Sequence, residues 1–408
     1  MKTLTSALVG LYVISGLFPG HPLTQAARSG RNSQHWVVSL NSQTCPGAQF
    51  TRIQDAIDAS SPHDTIHICN GVYQEQLKIT KYLDIDGDAE VYLSPSSIVP
   101  NTTDSATGDP TAAAILVTGA ELVNLYGFTV DLANNGIAGC SPRLAGILYQ
   151  NASGRVDTMR VHNVKLSTEF KGCQSGTAIL AESSSGGRTS IEIQKCVIKG
   201  YQKNGITAVK SGTSAAIHDN IVTGFGPTTG AAQNGIRIGL GAKGSIYKNI
   251  VAGNLWSPCQ TVNTCRSRGT DILVEQSDDV LVAGNQVLLS QVGILVHGKN
   301  NKVALNSAYI IKAFNGIRIQ GNYNTVSKNE IGDSEESDIF LDGIENSVTL
   351  NKLSNAPVGI MKTSTSTKNL IKENSFNNVA VDVKDSANAS SKGQIVREHQ
   401  SRGGSLNL

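Results

Sequence analysis

From residue 146 onward one hydrophobic pattern keeps returning: a glycine or aspartate, then isoleucine, then alternating apolar and polar positions. It begins at Gly146-Ile147, Gly205-Ile206, Gly235-Ile236, Asp271-Ile272, Gly293-Ile294, Gly316-Ile317, Asp338-Ile339 and Gly359-Ile360. The last five isoleucines are 22, 23, 22 and 21 residues apart. Alternation with a period of two predicts strands, and a repeat of that length holds three short strands with their turns. A second marker runs alongside. Asn163, Asn220, Asn249, Asn285, Asn306, Asn329, Asn351 and Asn374 each sit at a tight corner beside an apolar alternation. An amide at one corner of every coil can hydrogen-bond to the coils above and below, which predicts an internal ladder. Between Asn163 and Asn220 the corner residue is Cys196, in Gln-Lys-Cys-Val-Ile, and a buried thiol serves there as a small hydrophobe.

Parallel strands in register lie about 4.8 Å apart, so each coil covers the apolar residues of the next and none is stable alone. The crossover rule makes the superhelix right-handed. The expectation is an all-β, right-handed parallel β-helix of about ten coils over residues 45–385. A gap of 36 residues between Ile236 and Ile272 must leave as loops on one side. At the front, Ile53, Ala56 and Ile57 fall at helical spacing within Phe50 to Ser60, predicting a short helix that caps the open end. Thr65-Ile-His-Ile-Cys69 reads as the first strand, 94–113 as a polar loop, and 386–408 as a weakly ordered tail.

Composition agrees with a turn-rich β protein: 41 glycines, 16% charged and 5% aromatic residues. A formal charge of +2 from scattered lysines argues against a nucleic-acid partner. The N-terminus carries Lys2, an apolar run from Leu4 to Phe18 and small residues to Ala26 and Ala27, the layout of a signal peptide over 1–27. That run is too short for a comfortable span, so the mature chain is expected to be a secreted or periplasmic monomer without a membrane segment. Seven cysteines fit three bridges and one free thiol. Cys259 with Cys265, Cys140 with Cys173, and Cys45 with Cys69 are the expected pairs, leaving Cys196. The sequence points to no metal site and leaves any cofactor unknown.

The stretch Phe50-Thr-Arg-Ile-Gln-Asp-Ala-Ile57, with Asp64-Thr-Ile and Gly71-Val-Tyr73-Gln-Glu75, resembles the start of pectin-methylesterase-like β-helix proteins. The later coils resemble generic β-helix repeat proteins, including the periplasmic NosD group. The resemblance covers about residues 45–385 and implies a pectin-lyase-like fold. It does not carry an activity. Asp338-Ile-Phe-Leu-Asp-Gly343 only echoes the methylesterase motif Asp-Phe-Ile-Phe-Gly. Asp278-Asp279, Val296-His297-Gly298 and Arg318-Ile-Gln320 follow the polygalacturonase order but leave its signatures incomplete. Tyr126-Gly-Phe-Thr-Val-Asp131 lacks the Asp-Pro-His of mannuronan C5-epimerases.

Register arithmetic supplies the candidate chemistry. With each repeat isoleucine pointing inward, side chains one and three positions later should face solvent. The third-position column reads Gln150, Glu182, Val209, Gly239, Glu275, His297, Gln320, Asp342 and Thr363. The first-position column reads Leu148, Leu180, Thr207, Arg237, Leu273, Leu295, Arg318, Phe340 and Met361. Glu275, His297, Gln320 and Asp342 therefore stack over about 15 Å, with Arg237 and Arg318 beside them. In this set His297 is the proton-transfer group tuned by Glu275 and Asp342, and Arg318 neutralises a uronate carboxylate. Such a set suits elimination, epimerisation or hydrolysis of an acidic polysaccharide; the same column is also what any hydrated solenoid face looks like. Trp256 and Arg268, flanking the Cys259–Cys265 loop, could bind sugar ring and carboxylate, or the tryptophan could simply pack its loop down. Leu273, Leu295, Phe340 and Met361 form an apolar stripe that calls for a covering loop or a partner. Two function classes follow: a polysaccharide-binding or polysaccharide-processing protein, or a non-catalytic exported scaffold, adhesin or NosD-like maturation factor.

Overall fold

The structure, a computed structural model, describes residues 33–43, 45–257, 259, 265, 268–309 and 314–386. The expected signal peptide and, beyond Ser386, the expected tail lie outside the described residues. The chain is a right-handed parallel β-helix. Its strands form three sheets of 13, 12 and 13 members, and from Val123–Tyr126 onward every third strand returns to the same sheet. The first sheet includes Asp64–Ile68, the second Gly71–Tyr73 and the third Leu77–Ile79, so twelve coils are complete. Pairing between coils is parallel throughout the described residues except where Thr102–Thr103 runs antiparallel to Pro110–Thr118.

The repeat isoleucines are vertical neighbours. Ile206, Ile236, Ile272, Ile294, Ile317, Ile339 and Ile360 are paired in unbroken register along the third sheet. All are fully buried, and burying each such side chain contributes about 1.5–3 kcal/mol. The glycine before isoleucine is steric in origin: a Cβ on Gly235 would collide with Val251, which crosses the core from the second sheet.

The corner between first and second sheets is made by one residue in the left-handed region: Lys195, Asp219, Lys248, Leu305, Lys328, Leu350 and Glu373 have φ of 52–60°. This conformation costs a non-glycine residue about 1–2 kcal/mol, and the next residue offsets it. Asn220, Asn249, Asn285, Asn306, Asn329, Asn351 and Asn374 form a continuous ladder with Nδ2 to Oδ1 distances of 2.9–3.0 Å. Each Oδ1 also accepts the backbone N–H of the preceding asparagine, as Asn306 Oδ1 does from Asn285 at 2.9 Å. Cys196 occupies the next rung, with its N–H donated to Asn220 Oδ1 at 2.9 Å. Burial pushes its thiol up to about 12.

Asn163 is not a rung. It follows the strand Arg160–His162 and donates to Asp131 Oδ1 at 2.9 Å, while the apolar Met159 fills the corner of that coil. A second ladder stands at the turn from third to first sheet, where Asn301, Asn324, Asn346 and Asn369 are joined at 3.1 Å.

The helix Ile53–Ala59 covers the front of the core with Ile53, Ala56 and Ile57. Glu75 in the first coil accepts the free N–H groups of Ile53 and Gln54 at 2.8 and 3.0 Å, which neutralises that helix end. The first strand is His35–Val38, not the segment beginning at Thr65. It pairs in parallel with Asp64–Ile68 and leaves that strand internal. Cys45 is bonded to Cys69, Cys140 to Cys173 and Cys259 to Cys265.

Candidate functional site

The outer face of the third sheet carries both columns, and register places the predicted neighbours together. Glu275 pairs with His297, Gln320 with Asp342, and Leu295 with Arg318. What covers the face then divides it in two.

Over the earlier coils lies a flap formed by residues 94–109. Thr102 Oγ1 donates to Gln150 Oε1 at 2.6 Å, and Gln150 Nε2 donates to Thr103 O at 2.7 Å and Glu182 Oε1 at 2.8 Å. Ser105 N–H reaches the same Glu182 oxygen at 3.0 Å. Glu182 is fully buried, and burial followed by the nearby Asp104 charge raises its pKa against the opposing hydrogen bonds. Arg143 holds Asp104 at 3.3 Å and Asp109 at 2.9 Å, fastening the flap. The expectation that both columns meet solvent fails here. Leu116, Leu148, Leu180 and Val209 form a second apolar cluster outside the main core, against which Leu240 packs.

Over the later coils the face is only partly covered. Glu275, His297, Gln320 and Asp342 are half-buried. Arg237 Nη2 pairs with Glu275 Oε2 at 2.8 Å, and Asp342 Oδ1 accepts from Thr363 Oγ1 at 3.1 Å. Arg318 does not stand in solvent as the alternation suggested. Its guanidinium lies 3.8 Å over the Phe340 ring and donates to Asn315 Oδ1 at 3.0 Å, leaving the residue 7% exposed. A flat cation covers an aromatic face better than water does. Burial, then the charge of Arg268, pushes Arg318 down to about 10 while Glu336 and Asp342 oppose. Arg268 lies 4.5 Å over Phe314, and burial lowers its pKa too. The Nε–H groups of Arg237, Arg268 and Arg318 are buried and have no acceptor among the described residues.

The Cys259–Cys265 link and Leu295 pack against Val292 and Phe314, so the two cysteines and this member of the apolar stripe share one small cluster. Trp256 donates its indole N–H to Gly230 O at 3.0 Å, so that edge of the ring is engaged with the chain rather than offered to a ligand.

Sequence reasoning missed three features. Glu182 and Asp104 meet only through the flap, and no local pattern announces that contact. Asp271 and Asp338, in the glycine position of the repeat, point into the protein. Burial holds Asp271 well above the carboxylate range and pushes Asp338 up to about 7. Asp271 Oδ1 accepts from Asn254 Nδ2 at 2.8 Å, and Tyr201 OH donates to Asn254 Oδ1 at 2.6 Å. A hollow of about 610 Å³ opens at the turns between second and third sheets, beside Phe225 and Lys165, whose ammonium lies 5.1 Å from that ring.

The fold is that of a right-handed parallel β-helix protein. More particularly, residues 258–394 match the family model described as "Periplasmic copper-binding protein (NosD)". No curated protein matches the chain. Among solved structures it is similar to the lacto-N-biosidase of Eubacterium ramulus, at 12% identity and a TM-score of 0.60 over 85% of this chain and 68% of that one. It is also similar to the DFA-IIIase of Arthrobacter chlorophenolicus A6, at 18% identity and a TM-score of 0.45 over 81% and 84%. A mannuronan C-5 epimerase module of Azotobacter vinelandii gives 14%, 0.46, 81% and 90%. The first of these likenesses shows the fold alone.

Copper does not fit the matched segment. Its soft or nitrogen donors are His297, Met361 and the cysteines 259 and 265, which are bonded to each other. Such a set lacks the converging imidazole and sulfur ligands that copper prefers.

Proposed function

We propose that the protein binds an extracellular acidic polysaccharide along the outer face of the third sheet, between Arg237 and Asp342, and acts on it by proton transfer. The observation that carries this reading is the set of guanidinium groups at 237, 268 and 318, the first two half-buried and the third buried, each with an Nε–H lacking an acceptor among the described residues. A desolvated cation with a free donor is built to receive a carboxylate, and planar guanidinium does so with two parallel hydrogen bonds. A uronate held there lies beside His297, whose partner in register is Glu275. Glu275, itself held by Arg237 and next in register to His297, is the carboxylate this reading assigns to orient the imidazole as His297 takes a proton from a sugar carbon or hydroxyl. Three disulfides and the signal-peptide layout support a secreted or periplasmic location.

The test pairs binding with turnover on a panel of polyuronates, read by affinity electrophoresis, ultraviolet absorbance of unsaturated products, reducing ends and NMR of epimerised residues. His297→Ala is expected to lower turnover by about 10²–10⁴-fold with binding retained. Wild-type protein that neither retains nor alters any acidic glycan would sink the reading. The second reading, a non-catalytic exported scaffold, is favoured by the self-sufficient amide ladders of the later coils. It expects binding without turnover and a silent His297→Ala.

A further inference from the structure

At the opposite end of the molecule, outside the proposed glycan face, the cap of the solenoid carries a different chemistry. His67, Cys69 and Asp88 each present one ligand atom, and the three atoms lie within 4.8 Å of one another. His67 sits on the first-sheet strand Asp64–Ile68, and Cys69 follows that strand directly. Asp88 is the turn residue one coil later, its N–H donated to Ile68 O at 3.0 Å. Cys45, from the segment after the strand His35–Val38, is bonded to Cys69 and so brings a second sulfur to the same place.

The surroundings orient these groups. Asp86 Oδ2 lies 2.6 Å from His67 Nδ1 and Asp88 Oδ1 lies 3.5 Å from Nε2, so a metal placed between Nε2 and Asp88 would take the Nε2 lone pair while Asp86 holds the Nδ1 proton. A carboxylate behind one imidazole nitrogen, with the other nitrogen turned toward further ligands, is how metal-binding histidines are held. Asn70 N–H donates to Asp88 Oδ2 at 3.3 Å, turning Oδ1 inward. Two nitrogen or oxygen ligands at tetrahedral zinc, with bonds of 2.0–2.1 Å, stand about 3.3 Å apart, close to the separation of Nε2 and Oδ1. Two thiolates on the same ion need about 3.8 Å between sulfurs, a small opening from a broken disulfide.

We propose that Cys45, Cys69, His67 and Asp88 form a tetrahedral site for a borderline-soft divalent metal, Zn²⁺, that is closed while the disulfide is intact and opened by a dithiol reductant. In the first step the dithiol gives two electrons and two protons: the Cys45–Cys69 bond breaks, two thiols form, and the reductant becomes a disulfide. In the second, Zn²⁺ displaces the two thiol protons and binds two thiolates, the imidazole and the carboxylate. Disulfide and metal are thus alternative staples between the capping segment and the first coil.

Co²⁺ reports the site directly, through thiolate charge-transfer and intense visible bands of tetrahedral cobalt. The purified full chain is titrated with Co²⁺ before and after reduction by dithiothreitol followed by its removal under argon. The expected result is no such bands in the oxidised protein, one equivalent in the reduced protein, and loss of the bands on adding Zn²⁺. Cys259→Ser/Cys265→Ser should keep them, His67→Ala and Asp88→Ala should lose them, and Asp86→Asn should weaken affinity about 10–100-fold. Circular dichroism confirms that each variant is folded. Reduced wild type without the bands, identical bands in His67→Ala and Asp88→Ala, or identical binding by oxidised protein overturns the proposal.

Discussion

Glu182 and Glu275 stand in one column of the third sheet, three coils apart, and chemically they are different objects. Glu182 lies beneath the 94–109 flap, with Oε1 held by Ser105 and Gln150, Oε2 buried without a hydrogen-bond partner among the described residues, and the carboxyl pushed toward its neutral form. Glu275 is half-buried, paired with Arg237, and next in register to His297. Register assigned both residues to the outer face; the cover decided which one keeps access to solvent. A carboxyl closed under a flap contributes packing and hydrogen bonds, whereas one at an open margin next to cations can exchange a proton.

The sharpest way to break this comparison is at Arg318. Arg318→Ala is expected to weaken binding of a polyuronate about 10–100-fold, since a hydrogen bond to a charged group contributes about 1.5–3 kcal/mol. Calorimetric titration at fixed ionic strength measures it, and unchanged affinity would remove the cation from the binding face. The mirror-image change is Glu182→Ala. It should cost about 1–3 kcal/mol of stability in a denaturant melt, because Ser105 N–H and Gln150 lose their acceptor, while glycan affinity stays the same. If instead affinity falls, the flap is part of the site.

The smallest effect is in pH dependence. A carboxyl whose folded pKa is raised keeps its proton longer in the folded chain than in the unfolded one. The stability it contributes is fully present below the ordinary glutamate pKa, about 4.3, and is lost as pH rises through the raised value. Glu182→Gln cannot ionise, so its melting temperature should fall less than that of wild type as pH is raised from 4 toward neutral. Parallel curves for the two proteins would mean that the Glu182 carboxyl titrates in the folded chain as it does in the unfolded one, with no upward shift beneath the flap.

Much of the architecture was legible because the repeat is written twice, in isoleucines and in asparagines, and stacking turns a sequence interval into a distance. The column Glu275, His297, Gln320, Asp342 came from that arithmetic alone. The rest depends on contacts that the repeat does not encode. Arg318 fell in the outward phase, yet Phe340 one coil away drew its guanidinium flat onto the sheet. Asn163 belonged to the corner motif by appearance but not by phase, since Met159 already filled that corner. The strand His35–Val38 is only four residues long and lacks the repeat, so nothing local marked it as the solenoid's edge. The second ladder was present in the sequence as Asn301, Asn324, Asn346 and Asn369, spaced like the first, and was overlooked because it lies at another corner.

The ladders also set the unit in which this chain can change length. Asn306 and Asn329 are 23 residues apart and make the same bonds to their neighbours. Excising that interval would set Asn329 where Asn306 stood, with Asn285 behind it and Asn351 ahead, and the column would close. Removing a single residue from a strand would instead turn every following side chain of that strand from core to solvent. For this protein growth and shortening come in whole circuits, and a lineage can lengthen the solenoid without redesigning its interior.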